Sequence, residues 1–259
     1  MNKLVSVIIP VYNASQYIIE TLASVVVQTY NNLEIIVVDD CSKDNSVDVV
    51  QDYLSKCDVK FILKRCEKNF GGPAGPRNIG VECSSGDYIA FLDADDIWHP
   101  KKLEVQIKLL ENSNALLVSS LKYDFLDGDN YYFNNNLNKL ETEIITYNRT
   151  LFKNTIYLSS VLISRKKLIY KFNEAKEFSG VEDYYLWLSL LKNGSKAILI
   201  KENLIAYRIL LSSLSRNKFK HSLKVLRVLK SYKTLTFPFY FMTYFIISYF
   251  RIFKKSFVK

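Results

Sequence analysis

The chain has 259 residues, 49% of them apolar, which is long enough to bury a substantial core and fits one domain of about 200 residues with an appendage. Its net charge is +9, yet twelve of the 35 Lys and Arg residues follow Glu202, the last acidic residue, so the chain up to Glu202 has 23 basic and 26 acidic side chains. The four cysteines show no C-x-x-C spacing, which argues against a zinc site and against a redox pair.

Strands and helices alternate along the first hundred residues. Apolar runs predict four buried strands, at Val5 to Val11, Leu33 to Val38, Val59 to Leu63 and Tyr88 to Leu92. Helical spacing or capping residues after each of the first three strands predict helices that begin near Tyr17, Ser46 and Pro76. This order predicts an α/β fold with a Rossmann-like, mostly parallel sheet and helices on both faces, whose ligands gather beyond the carboxyl ends of the strands.

The second half is less regular. A helix is predicted at Pro100 to Leu110 and a strand at Ala115 to Ser120, followed by a polar and aromatic loop at Asp127 to Asn138. Another strand is predicted at Ser160 to Ile163. A helix at Glu182 to Lys192 follows, and Asn193 and Gly194 end it.

An acidic cluster follows the fourth predicted strand, in Phe91-Leu92-Asp93-Ala94-Asp95-Asp96. The period of two in a strand predicts that Asp93 and Asp95 point to the same side of the backbone. Two converging carboxylates suit Mn²⁺ or Mg²⁺, which leaves coordination positions for substrate phosphate and water. The alternative is that Asp95 or Asp96 only caps the following turn.

Two further features fall at the same predicted edge. Asp39 and Asp40 end the second strand, where an Asp can accept hydrogen bonds from a nucleotide base or ribose, although turn formation explains such pairs equally well. The loop from Gly71 to Asn78 combines glycines, a helix start and Arg77, and so could bind phosphate or sugar. It could also be a plain rigid turn.

The order of these motifs resembles the family 2 inverting glycosyltransferases of GT-A fold. The matching segments are S-V-I-I-P-V-Y-N at Ser6 to Asn13, V-V-D-D-C-S at Val37 to Ser42, F-L-D-A-D-D at Phe91 to Asp96, the pair Arg77-Asn78 and the pair Glu182-Asp183. The resemblance covers about Lys3 to Ser215. We therefore expect a catalytic domain at residues 1–215 and a separate tail at residues 216–259.

The resemblance implies a role for each matching residue. Pro10 and Tyr12 would line the nucleotide pocket, and Asp40 would bind the base. Arg77 and Asp93 would also contact the nucleotide-sugar, and the metal ion would bind Asp95 and Asp93. Asp183 would be the general base of a single displacement that inverts the anomeric carbon; without the resemblance, Glu182 and Asp183 could equally be acids that favour a helix N-terminus.

One position departs from the family pattern. Relatives often have a histidine two residues beyond the arginine that corresponds to Arg208, and here that position is Leu210. If that histidine binds metal in relatives, this chain must use water or another group instead. The departure motivates an alternative function, that of a catalytically silent nucleotide-sugar-binding or scaffold protein.

The tail combines cations with aromatic residues. Arg216 to Lys233 is basic, and Thr234 to Phe250 is uncharged and rich in Phe and Tyr, which favours helices at an anionic membrane surface. A spanning segment and an ordinary core or oligomer contact are the alternatives. Nucleic acid is not the expected partner, because phosphate contacts do not explain the aromatic run.

These observations predict an inverting, Mn²⁺- or Mg²⁺-dependent transferase. We expect a UDP-sugar donor that carries a hexose or N-acetylhexosamine, and a polyprenyl-diphosphate-linked saccharide as acceptor in O-antigen, capsule or related glycan synthesis. The expected location is peripheral, on the cytoplasmic face of the bacterial inner membrane. A nucleotidyltransferase shares the nucleotide fold and is a third possibility.

Overall fold

The computed structural model of the chain describes residues 3–137, 139–210 and 218–232. The strands within these ranges are β1 (Val5–Val11), β2 (Leu33–Asp39), β3 (Lys60–Arg65), β4 (Tyr88–Phe91), β5 (Ile97–Trp98), β6 (Leu117–Leu126), β7 (Thr142–Ile145), β8 (Leu162–Ser164) and β9 (Ala197–Ile209). The α-helices are α1 (Ile18–Val26), α2 (Ser46–Leu54), α3 (Ala74–Cys83), α4 (Lys102–Glu111), α5 (Tyr147–Phe152), α6 (Glu182–Leu191) and α7 (Lys218–Ser231).

All the described strands join one sheet in the order β3-β2-β1-β4-β8-β6-β9-β5, with β7 paired to β9. Strands β3, β2, β1 and β4 are parallel, as the alternation of strands and helices predicted. From β4 onward the pairing is antiparallel, except between β6 and β9. The sheet is therefore mixed, and the prediction of a mostly parallel sheet was wrong for this half, where β8 runs against both of its neighbours.

Helices cover both faces of the sheet, as predicted. Apolar side chains of α1, α2 and α4 pack on one face, for example Leu22, Val50 and Leu103. The opposite face is covered by α3 and α6, with Leu186 and Trp187 buried there. Both faces of β1 and β2 are buried, which explains why these strands are mostly apolar. Two polar residues inside them pair with each other, because the Ser6 hydroxyl donates to Glu34 at 2.7 Å.

Helix α7 packs against the folded domain on its inner side. Its Val225, Val228 and Leu229 are buried with Tyr184 and Leu188 of α6 and their neighbours. This stretch is an ordinary core contact on one side, whereas Leu223 and Arg227 face solvent. None of the helices within the described residues is long and apolar enough to cross a membrane. The boundary at residue 215 and the aromatic run at residues 234–250 lie outside those residues.

Candidate active site

The carboxyl end of β2 is fixed by its two aspartates. Asp39 is fully buried and accepts hydrogen bonds from the Ser42 N–H group at 3.2 Å, and it forms an ion pair with Arg65 at 3.3 Å. Asp40 accepts a hydrogen bond from the Phe70 N–H group at 2.8 Å and thereby attaches the glycine-rich loop to β2. Burial raises the pKa of Asp40. The structure thus agrees with both interpretations of this pair, turn formation and ligand binding.

The end of β1 lies beside this carboxylate pair. Pro10 is buried in the strand opposite Val38, and Tyr12 follows with its side chain 49% exposed. Asn13 has a positive φ of 50°, and its side-chain oxygen accepts a hydrogen bond from the Lys43 N–H group at 2.8 Å. Pro10 and Tyr12 are thus placed at the sheet edge where the nucleotide pocket was predicted.

The acidic cluster after β4 forms a turn. Strand β4 ends at Phe91, and the Asp96 N–H group donates to the Asp93 carbonyl at 3.2 Å, so the two-residue period of a strand does not apply. Burial and the Asp93 charge raise the pKa of Asp95 to about 6. The strand geometry given as the reason for convergence was wrong, and the convergence of the two carboxylates stays a prediction.

The third acid of the cluster is structural. Asp96 is fully buried and accepts hydrogen bonds from the Ser159 hydroxyl at 2.5 Å and from the Arg208 N–H group at 3.2 Å. Ser159 also accepts from the Asp93 N–H group at 3.2 Å. Asp96 therefore holds the turn in place, and Asp93 and Asp95 remain as the two carboxylates that can face a ligand.

Arg208 holds the same turn from the other side, which the sequence did not indicate. Its guanidinium group is buried, donates to the Asp95 carbonyl at 3.1 Å and to Asp127 at 2.8 Å, and pairs with Glu20 of α1. The ring of Tyr17 lies 4.9 Å from it. Arg208 thus links the acidic turn to α1 and to the start of the polar loop at residues 127–137.

Arg77 joins the two halves of the site. Its side chain lies on the first turn of α3, is almost fully buried, and donates at 2.7 Å both to Asp93 and to Glu182. The ring of Phe172 packs 5.5 Å from the guanidinium carbon. Arg77 thus links Asp93 to Glu182, and its predicted contact with the donor stays a prediction.

Asp183 lies in the first turn of α6, beside the carboxylate that Arg77 binds. It accepts a hydrogen bond from the Tyr184 N–H group at 2.7 Å, and burial together with the Glu182 charge raises the pKa of Asp183 to about 7. Arg77 binds both Asp93 and Glu182, and so links the acidic turn to the start of α6, where Asp183 lies. A carboxylate with this pKa is well suited to accept a proton near neutral pH.

The acidic turn suits a divalent cation. Asp93 and Asp95 provide two hard oxygen donors, and burial followed by the Asp93 charge raises the pKa of Asp95. Across the residues for which side chains are described, no cluster of three His, Cys, Asp or Glu residues could hold a metal ion. Substrate phosphate and water would therefore have to supply the remaining ligands. His99 lies between the Lys101 N–H group and the Asn134 carbonyl, and no metal role is assigned to it.

Comparison with known proteins places this geometry in a family. The model of Glycosyl transferase family 2 matches residues 6–172. The chain is 39% identical over 221 residues to WfgD of Escherichia coli, named a UDP-Glc:alpha-D-GlcNAc-diphosphoundecaprenol beta-1,3-glucosyltransferase, and the match covers 84% of this chain and 81% of WfgD.

Two solved structures have the same fold. Staphylococcus aureus TarS in complex with UDP superposes with a TM-score of 0.67 at 21% identity, over 87% of this chain and 64% of that one. The mannosyltransferase PcManGT from Pyrobaculum calidifontis, in complex with GDP-Man and Mn²⁺, gives a TM-score of 0.70 at 18% identity, over 92% of this chain and 72% of that one. These similarities support the GT-A type of sheet.

Proposed function

The chain belongs to glycosyl transferase family 2, and on that premise we propose that it is an inverting enzyme that transfers a sugar from a UDP-sugar to a hydroxyl group of a lipid-linked saccharide. The observation that supports the proposal is the Arg77 guanidinium group, which binds both Asp93 of the acidic turn and Glu182, the residue before Asp183. The name of WfgD suggests UDP-glucose and α-D-GlcNAc-diphosphoundecaprenol as the first substrates to test.

The proposed reaction is a single displacement. The acceptor hydroxyl oxygen attacks the anomeric carbon, its proton passes to the Asp183 carboxylate, and the bond from the anomeric carbon to the diphosphate oxygen breaks with both electrons leaving on UDP. Attack opposite the leaving group inverts the anomeric configuration. The pKa of about 7 at Asp183 allows this residue both to exist as the base and to hold the proton.

Asp93 and Asp95 would hold Mn²⁺ or Mg²⁺ together with oxygens of the donor diphosphate. A bound ion supplies positive charge that stabilises the departing diphosphate. Asp96, Ser159 and Arg208 keep the turn in one conformation, so that both carboxylates are positioned before substrate arrives. This preorganisation lowers the cost of assembling the charged site.

The nucleotide would bind along the ends of β1 and β2. Tyr12 offers an exposed ring for stacking, the buried Pro10 shapes the floor, and an oxygen of Asp40 would accept a hydrogen bond from the base. Because Asp40 also accepts a hydrogen bond from the Phe70 N–H group, binding of the base would affect the position of the glycine-rich loop.

The enzyme would work at a membrane surface. We propose peripheral attachment on the cytoplasmic face of the bacterial inner membrane through the basic and aromatic tail, where a polyprenyl-diphosphate-linked acceptor of O-antigen, capsule or related glycan synthesis resides. The exposed Arg227 and Lys230 of α7 continue the positive charge of the tail onto the described surface. Nucleic acid is not proposed as a partner.

The test is transfer from UDP-glucose to α-D-GlcNAc-diphosphoundecaprenol in the presence of Mn²⁺, with UDP release as the signal. Asp183→Asn should lower kcat by about 10²- to 10⁴-fold while donor binding persists, because only proton acceptance is removed. The matched control is Asp129→Asn, at an exposed loop position that should not affect turnover.

Two outcomes would contradict the proposal. Binding of UDP-sugars without turnover on any lipid-linked saccharide would favour the catalytically silent scaffold that Leu210 suggested. Release of glucose 1-phosphate instead of UDP, with transfer of the uridylyl group, would indicate a nucleotidyltransferase.

A further inference from the structure

A buried polar cluster lies behind the acidic turn. Trp98, Lys102 and Gln106 follow one another at intervals of four residues, and all three side chains are almost completely buried. Lys102 and Gln106 belong to α4 and lie one helical turn apart on the same face of that helix. The proposed reaction uses none of these three side chains, so their polar groups must be explained by what they contact.

The cluster binds the short 3₁₀ turn Leu158–Ser160 through its carbonyl groups. The Trp98 indole N–H group donates to the Ser159 carbonyl at 2.8 Å. The Gln106 amide donates to the next carbonyl, that of Ser160, at 2.7 Å. Two successive carbonyl groups of the 3₁₀ turn are thus bound by buried side chains.

The same 3₁₀ turn holds the acidic turn. The Ser159 hydroxyl donates to Asp96 at 2.5 Å and accepts a hydrogen bond from the Asp93 N–H group at 3.2 Å. Because the carbonyl that Trp98 binds and this hydroxyl belong to one residue, a shift of the 3₁₀ turn would move the group that holds Asp93. The buried cluster therefore influences the acidic turn through Ser159.

Lys102 determines which way the Gln106 amide points. Its ammonium group donates to the Gln106 side-chain oxygen at 2.8 Å and lies 3.8 Å from the centre of the Trp98 ring. With the oxygen bound there, the amide nitrogen points to the carbonyl groups of Ser160 and Val118. The opposite orientation would place the amide oxygen against two carbonyl oxygens and the amide N–H groups against an ammonium donor.

The position of Lys102 is costly for the fold. Its side chain is fully buried, no carboxylate in the described part of the chain pairs with it, and burial lowers the pKa of Lys102 well below its usual value. Methionine has a similar length and could be buried without this cost. An amine at this position is explained by its effect on Gln106, because only a donor keeps the amide in the orientation that binds the 3₁₀ turn.

We propose that Gln106 and Lys102 are positioning residues for the proposed metal site. Gln106 fixes the 3₁₀ turn, Lys102 orients the Gln106 amide, and Ser159 transmits their position to Asp93. The inference rests on the proposed binding of metal at the acidic turn, and it adds the residues behind that turn which keep it in place.

The experiment compares Gln106→Met, Lys102→Met and the double variant with the matched control Gln28→Met. Gln28 is also a buried glutamine, and it makes three hydrogen bonds to backbone groups outside the 3₁₀ turn, those of Ser24, His99 and Leu103. Electron paramagnetic resonance gives the Kd of Mn²⁺ in the presence of UDP. Mass spectrometry gives the rate of hydrogen exchange at residues 92–97 in the protein without ligand, and urea unfolding gives the stability of each variant.

The variants should differ in a defined way. Gln106→Met should raise the Kd of Mn²⁺ about threefold to tenfold and speed exchange at residues 92–97 about fivefold or more, because the 3₁₀ turn loses a buried hydrogen bond. Lys102→Met should act in the same direction, since the Gln106 amide loses the donor that orients it. Gln28→Met should leave both quantities within about twofold of the unmodified protein.

The double variant separates positioning from stability. Its stability should recover relative to Gln106→Met, because no buried ammonium group then lacks its hydrogen-bond partner. Its Mn²⁺ binding and hydrogen exchange should stay altered, because the Ser160 carbonyl still lacks the Gln106 amide. Recovery of both quantities together with stability would overturn the inference, and so would equal changes in Gln28→Met and Gln106→Met.

Failure of the proposed metal site can be distinguished from failure of this inference. If the unmodified protein binds no Mn²⁺ in the presence of UDP, the metal assignment is wrong. Hydrogen exchange then decides on its own whether α4 positions the acidic turn, because the hydrogen bond from the Asp93 N–H group to Ser159 forms without metal. Exchange at residues 92–97 that is unchanged in Gln106→Met would overturn the inference in either case.

Discussion

Replacement of Arg77 by Met should destabilise the fold, because one buried carboxylate then lacks its ion pair. Met retains most of the volume and removes the charge, which leaves Glu182 buried without its ion pair. Breaking a buried pair by removal of one partner costs about 3 to 5 kcal/mol. Asp93 is one-third exposed, so water screens it and its share is under about 1 kcal/mol.

Protonation of Glu182 sets an upper limit on this cost. Neutralising a carboxylate with an ordinary pKa of about 4.3 costs about 5 kcal/mol at pH 8 but only about 2.3 kcal/mol at pH 6, from 1.36 kcal/mol per pH unit. The loss of stability in Arg77→Met should therefore be larger at pH 8 than at pH 6. The additional replacement Glu182→Gln should recover much of it, because no buried charge then lacks a partner.

The assay is urea unfolding monitored by the fluorescence of the two buried tryptophans, Trp98 and Trp187. The control is Arg149→Met, because Arg149 pairs with Glu143 where both side chains are more than 30% exposed and water screens their attraction. A destabilisation by Arg77→Met that is no larger than that of the control, or that does not change between pH 8 and pH 6, would refute the reasoning.

Three further predictions concern proton transfer, metal and membrane. Because Asp183 must be deprotonated to act, kcat/KM should rise about tenfold per pH unit below about pH 7 and level off above it. A flat pH profile would exclude Asp183 as the base. The raised pKa also means that Asp183 lowers the stability of the fold increasingly as pH rises from about 4 to about 7. EDTA should abolish turnover, and added Mn²⁺ should restore it. Asp95→Asn should weaken the binding of Mn²⁺ in the presence of UDP by about tenfold or more, as measured by electron paramagnetic resonance. Mn²⁺ binding as strong in Asp95→Asn as in the unmodified protein would exclude Asp95 from the metal site. Truncation after Tyr232 should reduce co-sedimentation with anionic vesicles while the midpoint of urea unfolding stays the same. Undiminished co-sedimentation would refute attachment through the tail. The truncated chain must keep α7, because Val225, Val228 and Leu229 are part of the core.

Much of the parallel half of the fold was predictable because β1, β2 and β4 are covered on both faces. These strands are mostly apolar, and each ends at or just before polar residues of the proposed site. The positions of Asp40 and Asp93 near one edge of the sheet follow from that arrangement, whereas the role of Asp183 was implied only by the family resemblance. What the runs could not show was the conformation of the acidic turn, since it depends on hydrogen bonds from Ser159 and Arg208, which are distant in sequence.

The antiparallel half was predicted less well for identifiable reasons. Strand β9 was not predicted because Lys201, Glu202 and Asn203 interrupt its apolar pattern, and the pairing with β6 shifts register near this point. Strand β5 has only two residues, and α7 looked like a surface helix because its buried face is narrow. The two ion pairs of Arg77 could not be predicted, because the fold brings Asp93 and Glu182 to it from distant parts of the sequence.

The change of pairing direction at β4 divides the sheet into two parts. On the proposed assignment, the ends of the parallel strands β1 and β2 bind the nucleotide, whereas the proposed base Asp183 belongs to α6, which follows β8. Arg77 connects the two parts, because it binds both Asp93 and Glu182. Loss of this one side chain would therefore disturb the proposed metal site and the surroundings of the proposed base together, although the two are distant in sequence.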